Sequence, residues 1–320
     1  MVNGGLAVHI VICGQARAGS FHQERPLTGW RIAPTKPWRV AEMKNLTQRV
    51  AALALGPIVL TLACSSTFRG ATQGSPPSSL GEQLYGQHCA ACHGEQGLGD
   101  GPAAPFLAVR PRNFQEERIH FVSTAEGRGP AQGDVAAFIR RGSRATHMPA
   151  HPQLASSEVS AIADYIRALR LQGVAQEVQM SFEEEGDEVS PQESNEIAAE
   201  LLAPGQQIAF SAAPQQHSSD LARGAEIFAA QCASCHGPGG LGDGPEELRD
   251  DLGRIIYARN LTRGEYRGGG RDRDLFWRIR CGIPGTPMPA FDENVVAGED
   301  LWHLIAYVRG LSQLQRGNLR

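Results

Sequence analysis

Lysine is almost missing from this chain. Of 30 Lys and Arg residues in 320, only Lys36 and Lys44 are lysine, and both lie near the N-terminus. No basic run stands beyond them, which excludes a surface built to grip nucleic acid. Aromatic residues make up only 6%, little for a chain long enough for two domains of ordinary size. Methionine is scarcer still, with five in all. The seven cysteines form no disulfide framework, because four fall into two close pairs and leave Cys13, Cys64 and Cys281 apart. The longest uncharged apolar stretch, Val50 to Ala63, has 14 residues, too short for a comfortable membrane span. Positive charge is also absent from one region: between Leu171 and Asp220 there are ten acidic residues and no Lys or Arg. The net charge of −4 therefore hides an acidic middle.

What the sequence does contain is organised around two pentapeptides, Cys89-Ala90-Ala91-Cys92-His93 and Cys232-Ala233-Ser234-Cys235-His236. Both read C-x-x-C-H, in which two thiols bond covalently to the vinyl groups of a c-type haem and the adjacent histidine ligates the iron. Composition alone would give this pattern about 0.005 times in such a chain. A redox C-x-x-C or half of a zinc site are the other readings of a cysteine pair. Neither explains a histidine directly after both pairs. Two buried haems would also supply the apolar core that so few aromatics leave short.

In chain order, residues 1–42 show no periodicity and read as an upstream extension, with translation starting at Met43. Residues 43–63 have a short basic segment followed by the apolar stretch, a secretory signal pattern. Cys64 directly after it resembles the lipidated cysteine of bacterial lipoproteins; ordinary cleavage nearby or a retained anchor are the alternatives. Residues 64–79, rich in Ser, Gly, Pro and Thr, read as a flexible tether. From residue 80 the chain repeats: 80–170 and 220–313 carry the same features in the same order, and 314–320 is a tail. Leu98-Gly99-Asp100-Gly101-Pro102 recurs as Leu241-Gly242-Asp243-Gly244-Pro245, and Arg112-Asn113 recurs as Arg259-Asn260 after four extra residues. Met148-Pro149-Ala150 recurs as Met288-Pro289-Ala290. At the end of each copy, Val159, Ile162, Ile166 and Leu169 match Leu301, Leu304, Val308 and Leu311, one apolar helical face apiece. The expected fold is all-α, two tandem helical domains each around one covalently bound haem. The acidic stretch 171–219 reads as a solvated, mobile linker with a short helix around Ile197 to Leu202.

A haem that cycles electrons without changing coordination needs a second axial ligand. Each repeat holds a single methionine, Met148 at 55 residues after His93 and Met288 at 52 after His236, and a thioether raises the reduction potential relative to a second histidine. Packing is the competing role for methionine, and repetition at matched positions argues against it. His88, His120, His147, His151 and His303 read as surface residues or neighbours of the sites. Cys281, which stands opposite Arg141 in the repeat, reads as a partly buried free thiol. Arg112 and Arg259 are candidates to hold haem propionates, since a guanidinium suits forked carboxylate contacts; surface arginine is the equal alternative.

With motif, glycine-rich loop, Met-Pro and closing helix in this order, each repeat resembles a class I c-type cytochrome domain, and the tandem is similar to dihaem cytochromes of bacterial respiratory chains. The resemblance implies an N-terminal helix crossing a C-terminal one, with Gly81 and Tyr85 against Tyr165, and Gly224 and Phe228 against Tyr307. It also implies a carrier of single electrons rather than an enzyme. The chain would be exported to the periplasmic face, anchored there as a lipoprotein, and would work with redox partner proteins or as a subunit of a membrane-associated oxidoreductase complex. A dihaem peroxidase or a c-haem dehydrogenase is the alternative.

Overall fold

The computed structural model describes residues 79–213 and 220–317. The extension, signal pattern, tether and Cys64 lie outside the described residues. The architecture is helical, with a single two-stranded hairpin among the described residues.

The first repeat begins with α1 (Leu80–His88), capped by the Ser79 side chain, which accepts from the Glu82 backbone N–H. It runs directly into the short α2 (Ala90–His93). After a long loop come α3 (Gln132–Arg141) and α4 (Ser156–Glu184). Helix α4 crosses α1, and the crossing is close because Gly81 has no side chain. A Cβ there would lie 2.2 Å from the Ala161 carbonyl oxygen and 3.1 Å from Tyr165 Cβ. Val159, Ile162, Ile166 and Leu169 are buried as their spacing requires, around Leu84, Tyr85 and Phe114. Each such side chain removed from water stabilises the fold by about 1.5–3 kcal/mol.

The second repeat follows the same plan, with α6 (Leu221–Gln231), α7 (Ala233–His236), α8 (Asp272–Arg280) and α9 (Gly298–Gly317). Gly224 sits 2.3 Å from the His303 carbonyl oxygen, measured from its would-be Cβ. Phe228 lies 5.4 Å from the Tyr307 ring, as Tyr85 lies 5.1 Å from Tyr165. The four extra residues of this copy belong to the segment that forms the hairpin β1 (Leu248–Arg249) and β2 (Ile255–Ile256), paired Leu248 to Ile256 and Arg249 to Ile255.

The acidic middle differs from a mobile linker. Helix α4 does not stop near residue 170 but continues to Glu184, and α5 (Pro191–Leu201) folds back on it. Between them Val174, Val178, Phe182, Ile197 and Ala198 are buried in a small core of their own. The apolar residues Val174, Val178 and Phe182 recur every four positions on one helical face, and that face outweighs the charge run. The acids Glu183, Glu184 and Glu185 are exposed at the turn beyond it. From α5 the chain crosses to the second repeat as a strap. Ile208 N–H donates to the Ser123 carbonyl (2.8 Å), Trp277 Nε1 donates to the Ile208 carbonyl (3.1 Å), and Phe210 stacks edge-on against Phe276 at 5.3 Å.

The repeats also touch directly. Arg254 bonds Glu117 (3.1 Å), Arg141 bonds Asp274 (3.2 Å), and Arg278 donates to the His120 carbonyl (3.0 Å) while its guanidinium lies 4.5 Å over the Phe121 ring.

Candidate haem sites

Each C-x-x-C-H turn is built the same way. The last turn of α1 ends at Cys89, whose N–H bonds the Tyr85 carbonyl (2.8 Å), and the backbone immediately rewinds so that His93 N–H bonds the Cys89 carbonyl (2.9 Å). Cys232 and His236 repeat this at 2.9 Å and 2.9 Å. The glycine-rich loop then wraps against the turn. Gly99 N–H donates to the His93 carbonyl and Gly242 N–H to the His236 carbonyl, both at 2.8 Å. A side chain at Gly101 would meet the Ala90 and Ala91 carbonyls at 2.4 and 2.5 Å; at Gly244 it would meet those of Ser234 and Cys235 at 2.3 and 2.4 Å. This explains the recurrence of Leu-Gly-Asp-Gly-Pro: only glycine permits the approach.

The recurrent Arg-Asn pair closes each site in a way that residue types alone did not reveal. The Arg112 carbonyl accepts a 3.0 Å hydrogen bond from His93 Nδ1–H, and the Arg259 carbonyl accepts one of 3.0 Å from His236 Nδ1–H. This fixes the tautomer, aims each ring, and leaves Nε2 with a free lone pair. Burial lowers the pKa of both imidazoles, so they are neutral at pH 7. The asparagine holds the carbonyl in place. Asn113 Oδ1 accepts from the Gln115 and Glu116 N–H groups at 2.9 and 3.3 Å, and Asn260 Oδ1 accepts from Thr262 N–H at 3.0 Å and its hydroxyl at 2.6 Å. The signal for this role was the asparagine itself, a residue that hydrogen-bonds its own backbone two residues on.

The two guanidinia are committed to protein partners. Arg112 donates to Glu117 Oε2 (3.1 Å), the Arg118 carbonyl (2.8 Å) and His120 Nδ1 (2.8 Å), and Arg259 to the Glu265 carbonyl (2.8 Å). Burial lowers Arg112 to about 10, still cationic at pH 7. His120, accepting at Nδ1, is pushed down to about 2 by burial first and the neighbouring arginines second.

The two methionines occupy equivalent loops. The Met148 carbonyl accepts from Ser143 N–H (2.9 Å) beyond α3, and the Met288 carbonyl from Ile283 N–H (3.1 Å) beyond α8. In each case a glycine at positive φ, Gly142 at 64° and Gly282 at 65°, turns the chain so that the loop folds back on it. The rest of the loop is pinned by His151 N–H to the Ile139 carbonyl (3.1 Å) and by Phe291 N–H to the Ile279 carbonyl (2.9 Å). Both methionines are half-buried.

These residues fit a haem c. The cysteines of both pairs are free thiols and partly accessible, the form needed for thioether attachment, and burial pushes Cys89 and Cys232 up to about 11. His93 and His236 offer oriented Nε2 ligands. Among the described residues no group of three or more His, Cys, Asp or Glu converges to hold a bare metal ion. Cys281 is apart from both pairs: it is fully buried rather than partly so, and burial pushes its thiol up to about 12.

Comparison with known proteins follows the same division. Residues 78–170 match the cytochrome c family, and residues 219–308 match the family of cytochrome c oxidase, cbb3-type, subunit III. The cbb3-type cytochrome c oxidase subunit FixP of Azorhizobium caulinodans is 27% identical over 220 residues, which is 66% of this chain and 52% of that protein. The chain thus spans about half the length of this curated relative. A chain of the reducing HAO-like protein complex of Kuenenia stuttgartiensis superposes with a TM-score of 0.60 at 26% identity, covering 73% of this chain and 96% of that one. Two attachment turns of one design, each inside its own cytochrome c domain, make this chain a dihaem c-type cytochrome that binds two haem c groups covalently.

Proposed function

We propose that the chain relays single electrons between redox partner proteins as a subunit of a respiratory oxidoreductase complex at the periplasmic face of a bacterial membrane, with His93 and Met148 as axial ligands of one iron and His236 and Met288 of the other. Each haem, when bound, supplies an iron that takes up and gives back one electron. The protein's part is to keep that exchange free of rearrangement. The Arg112 and Arg259 carbonyls hold the imidazoles, and the glycine-turned loops hold the methionines.

The observation that carries this reading is the equality of the two sites. A haem peroxidase needs one iron to open a coordination position, whereas here both repeats present a methionine in the same hydrogen-bonded loop. The relatives support the assignment to a complex, since the A. caulinodans protein is an oxidase subunit and the K. stuttgartiensis chain comes from a protein complex. No described helix is long and apolar enough to cross a membrane. Attachment in this reading is through lipidation at Cys64, which directly follows the signal pattern of residues 43–63. Arg112 and Arg259 would hold haem propionates only by giving up the protein partners their guanidinia now bond.

Far-red absorption from Met-to-Fe(III) charge transfer, titrated against haem content, tests the ligands. Two equivalents are expected, with one lost in Met148→Ala and the other in Met288→Ala; loss of nothing in either variant overturns the assignment. Purification after mild solubilisation tests the rest. Partners that stay bound support a subunit, and a lone chain supports a free shuttle.

A further inference from the structure

The repeats are not equivalent at one position. Register through the methionine loops sets α8 against α3, so that Arg278 of the second domain stands where the first has Phe138. Both side chains reach the same ring. Phe138 stacks on Phe121 at 5.2 Å, and Arg278 covers Phe121 at 4.5 Å. Arg278 is thus a second-domain cation inserted into the first domain, partly buried, with no carboxylate at ion-pair distance among the described residues and with Asp274 and Asp134 acting on it from further off. Its Nη1 donates to the His120 carbonyl (3.0 Å). His120 Nδ1 accepts from Arg112 (2.8 Å), and the Arg112 carbonyl holds His93 (3.0 Å). In the other direction α8 leads at once into the Met288 loop, with Cys281 N–H on the Trp277 carbonyl (2.8 Å) and Gly282 against the Met288 carbonyl. Three hydrogen bonds therefore join the axial histidine of one domain to the helix that carries the methionine loop of the other.

We propose that Arg278 is a positioning residue that couples the two haem sites: by holding the His120–Arg112 segment it orients His93, and as a fixed cation it raises the reduction potential of the first-domain haem. The physical basis is twofold. A cation in a poorly screened interior disfavours the ferric state, which carries one more positive charge than the ferrous. Hydrogen bonding behind an axial histidine sets the ring's orientation and basicity, and hence the potential. A side chain of the second domain then contributes to the driving force between the two irons. The interface does more than hold two carriers together.

This rests on His93 ligating the first iron. The test is potentiometry of the full-length dihaem protein, followed by EPR, together with the hyperfine-shifted haem methyl resonances of the ferric first domain, which report the orientation of the His93 ring. The second-domain signals are identified by their change in Met288→His. Arg278→Met is expected to lower the first-domain midpoint and to alter its methyl pattern. Arg278→Gln, which removes the charge but keeps a donor, is expected to lower the midpoint with a smaller change in pattern. Arg141→Met breaks the interdomain pair with Asp274 without removing a hydrogen bond of the His120 chain, and although Arg141 lies over Phe138 it should change the pattern far less than Arg278→Met does. The proposal is overturned if both Arg278 variants leave the first-domain midpoint and pattern unchanged, or if Arg141→Met changes them as much. If instead Met288→His moves no signal, the methionine assignment fails; the first-domain signals are then those that Asn113→Ala shifts, and their shift in Arg278→Met still stands for the coupling.

Discussion

The crossing of α1 and α4 gives a prediction whose sign can be worked out from two glycines of one helix. At Gly81 a methyl group would lie 2.2 Å from the Ala161 carbonyl oxygen. Ordinary contact requires the helices to move apart by about 1 Å, and such overpacking costs about 1–3 kcal/mol. The clash is with backbone, which places its cost at about 2–3 kcal/mol within that range; alanine recovers up to about 1 kcal/mol of helix propensity over glycine, so Gly81→Ala should destabilise the first domain by about 1–2 kcal/mol. At Gly86, five residues further along α1, no atom lies within 4 Å of the added methyl. Gly86→Ala should gain the propensity without the clash and stabilise by about 0.5–1 kcal/mol. For a domain of this size each kcal/mol moves the midpoint by about 4–8 °C. The assay is thermal and guanidinium unfolding of the full-length holoprotein, followed by far-UV circular dichroism and by the haem absorption of each variant. If Gly81→Ala proved neutral or stabilising, or if the two substitutions shifted stability in the same direction, the close helix crossing would be refuted as the reason for glycine.

Three further outcomes follow from the sites and the interface. Asn113→Ala removes the acceptor of two backbone N–H groups beside the Arg112 carbonyl; a loss of about 1–3 kcal/mol is expected, with a shifted first-domain methyl pattern by NMR and an unchanged second-domain one. Glu117 is raised by burial, but Arg112, Arg254 and Arg110 outweigh this and leave its pKa below 4.5. Its folded pKa is thus depressed, so its contribution is complete above the unfolded value and is lost as pH falls through the folded one. The stability difference between the wild type and Glu117→Gln should accordingly shrink as pH falls below about 4.5, and a difference constant from pH 6 to pH 3 in thermal unfolding would refute it. Cys281, buried and with its thiol near 12, should resist thiol reagents in the native protein and react on unfolding, as mass mapping of the modified peptide would read.

Much of the architecture was legible because it repeats. The attachment turns, the glycine-rich loops, the Met-Pro pairs and the apolar faces ending at Leu169 and Leu311 each occur twice, and a pattern that recurs in register reports a shared structural need. The role of Arg112 and Arg259 was legible only in part. Their recurrence marked them, but residue type directed attention to the guanidinium, whereas a backbone carbonyl, identical in every residue, is what meets each histidine. The acidic middle was misjudged for a related reason. Composition weighted Glu183 to Glu188, while Val174, Val178 and Phe182 buried against Ile197 decide that α4 continues.

The sequence by itself determined that this protein carries two covalently bound haems in two similar helical domains, because C-x-x-C-H chemistry is local: thiols and imidazole within five residues suffice to name the group they hold. Tertiary structure alone decided how those domains face each other. It placed Arg278 on Phe121, Arg254 on Glu117 and Arg141 on Asp274. Contacts between residues more than 130 positions apart leave no periodicity to read, and only the folded packing of two unequal copies fixes which arginine reaches across.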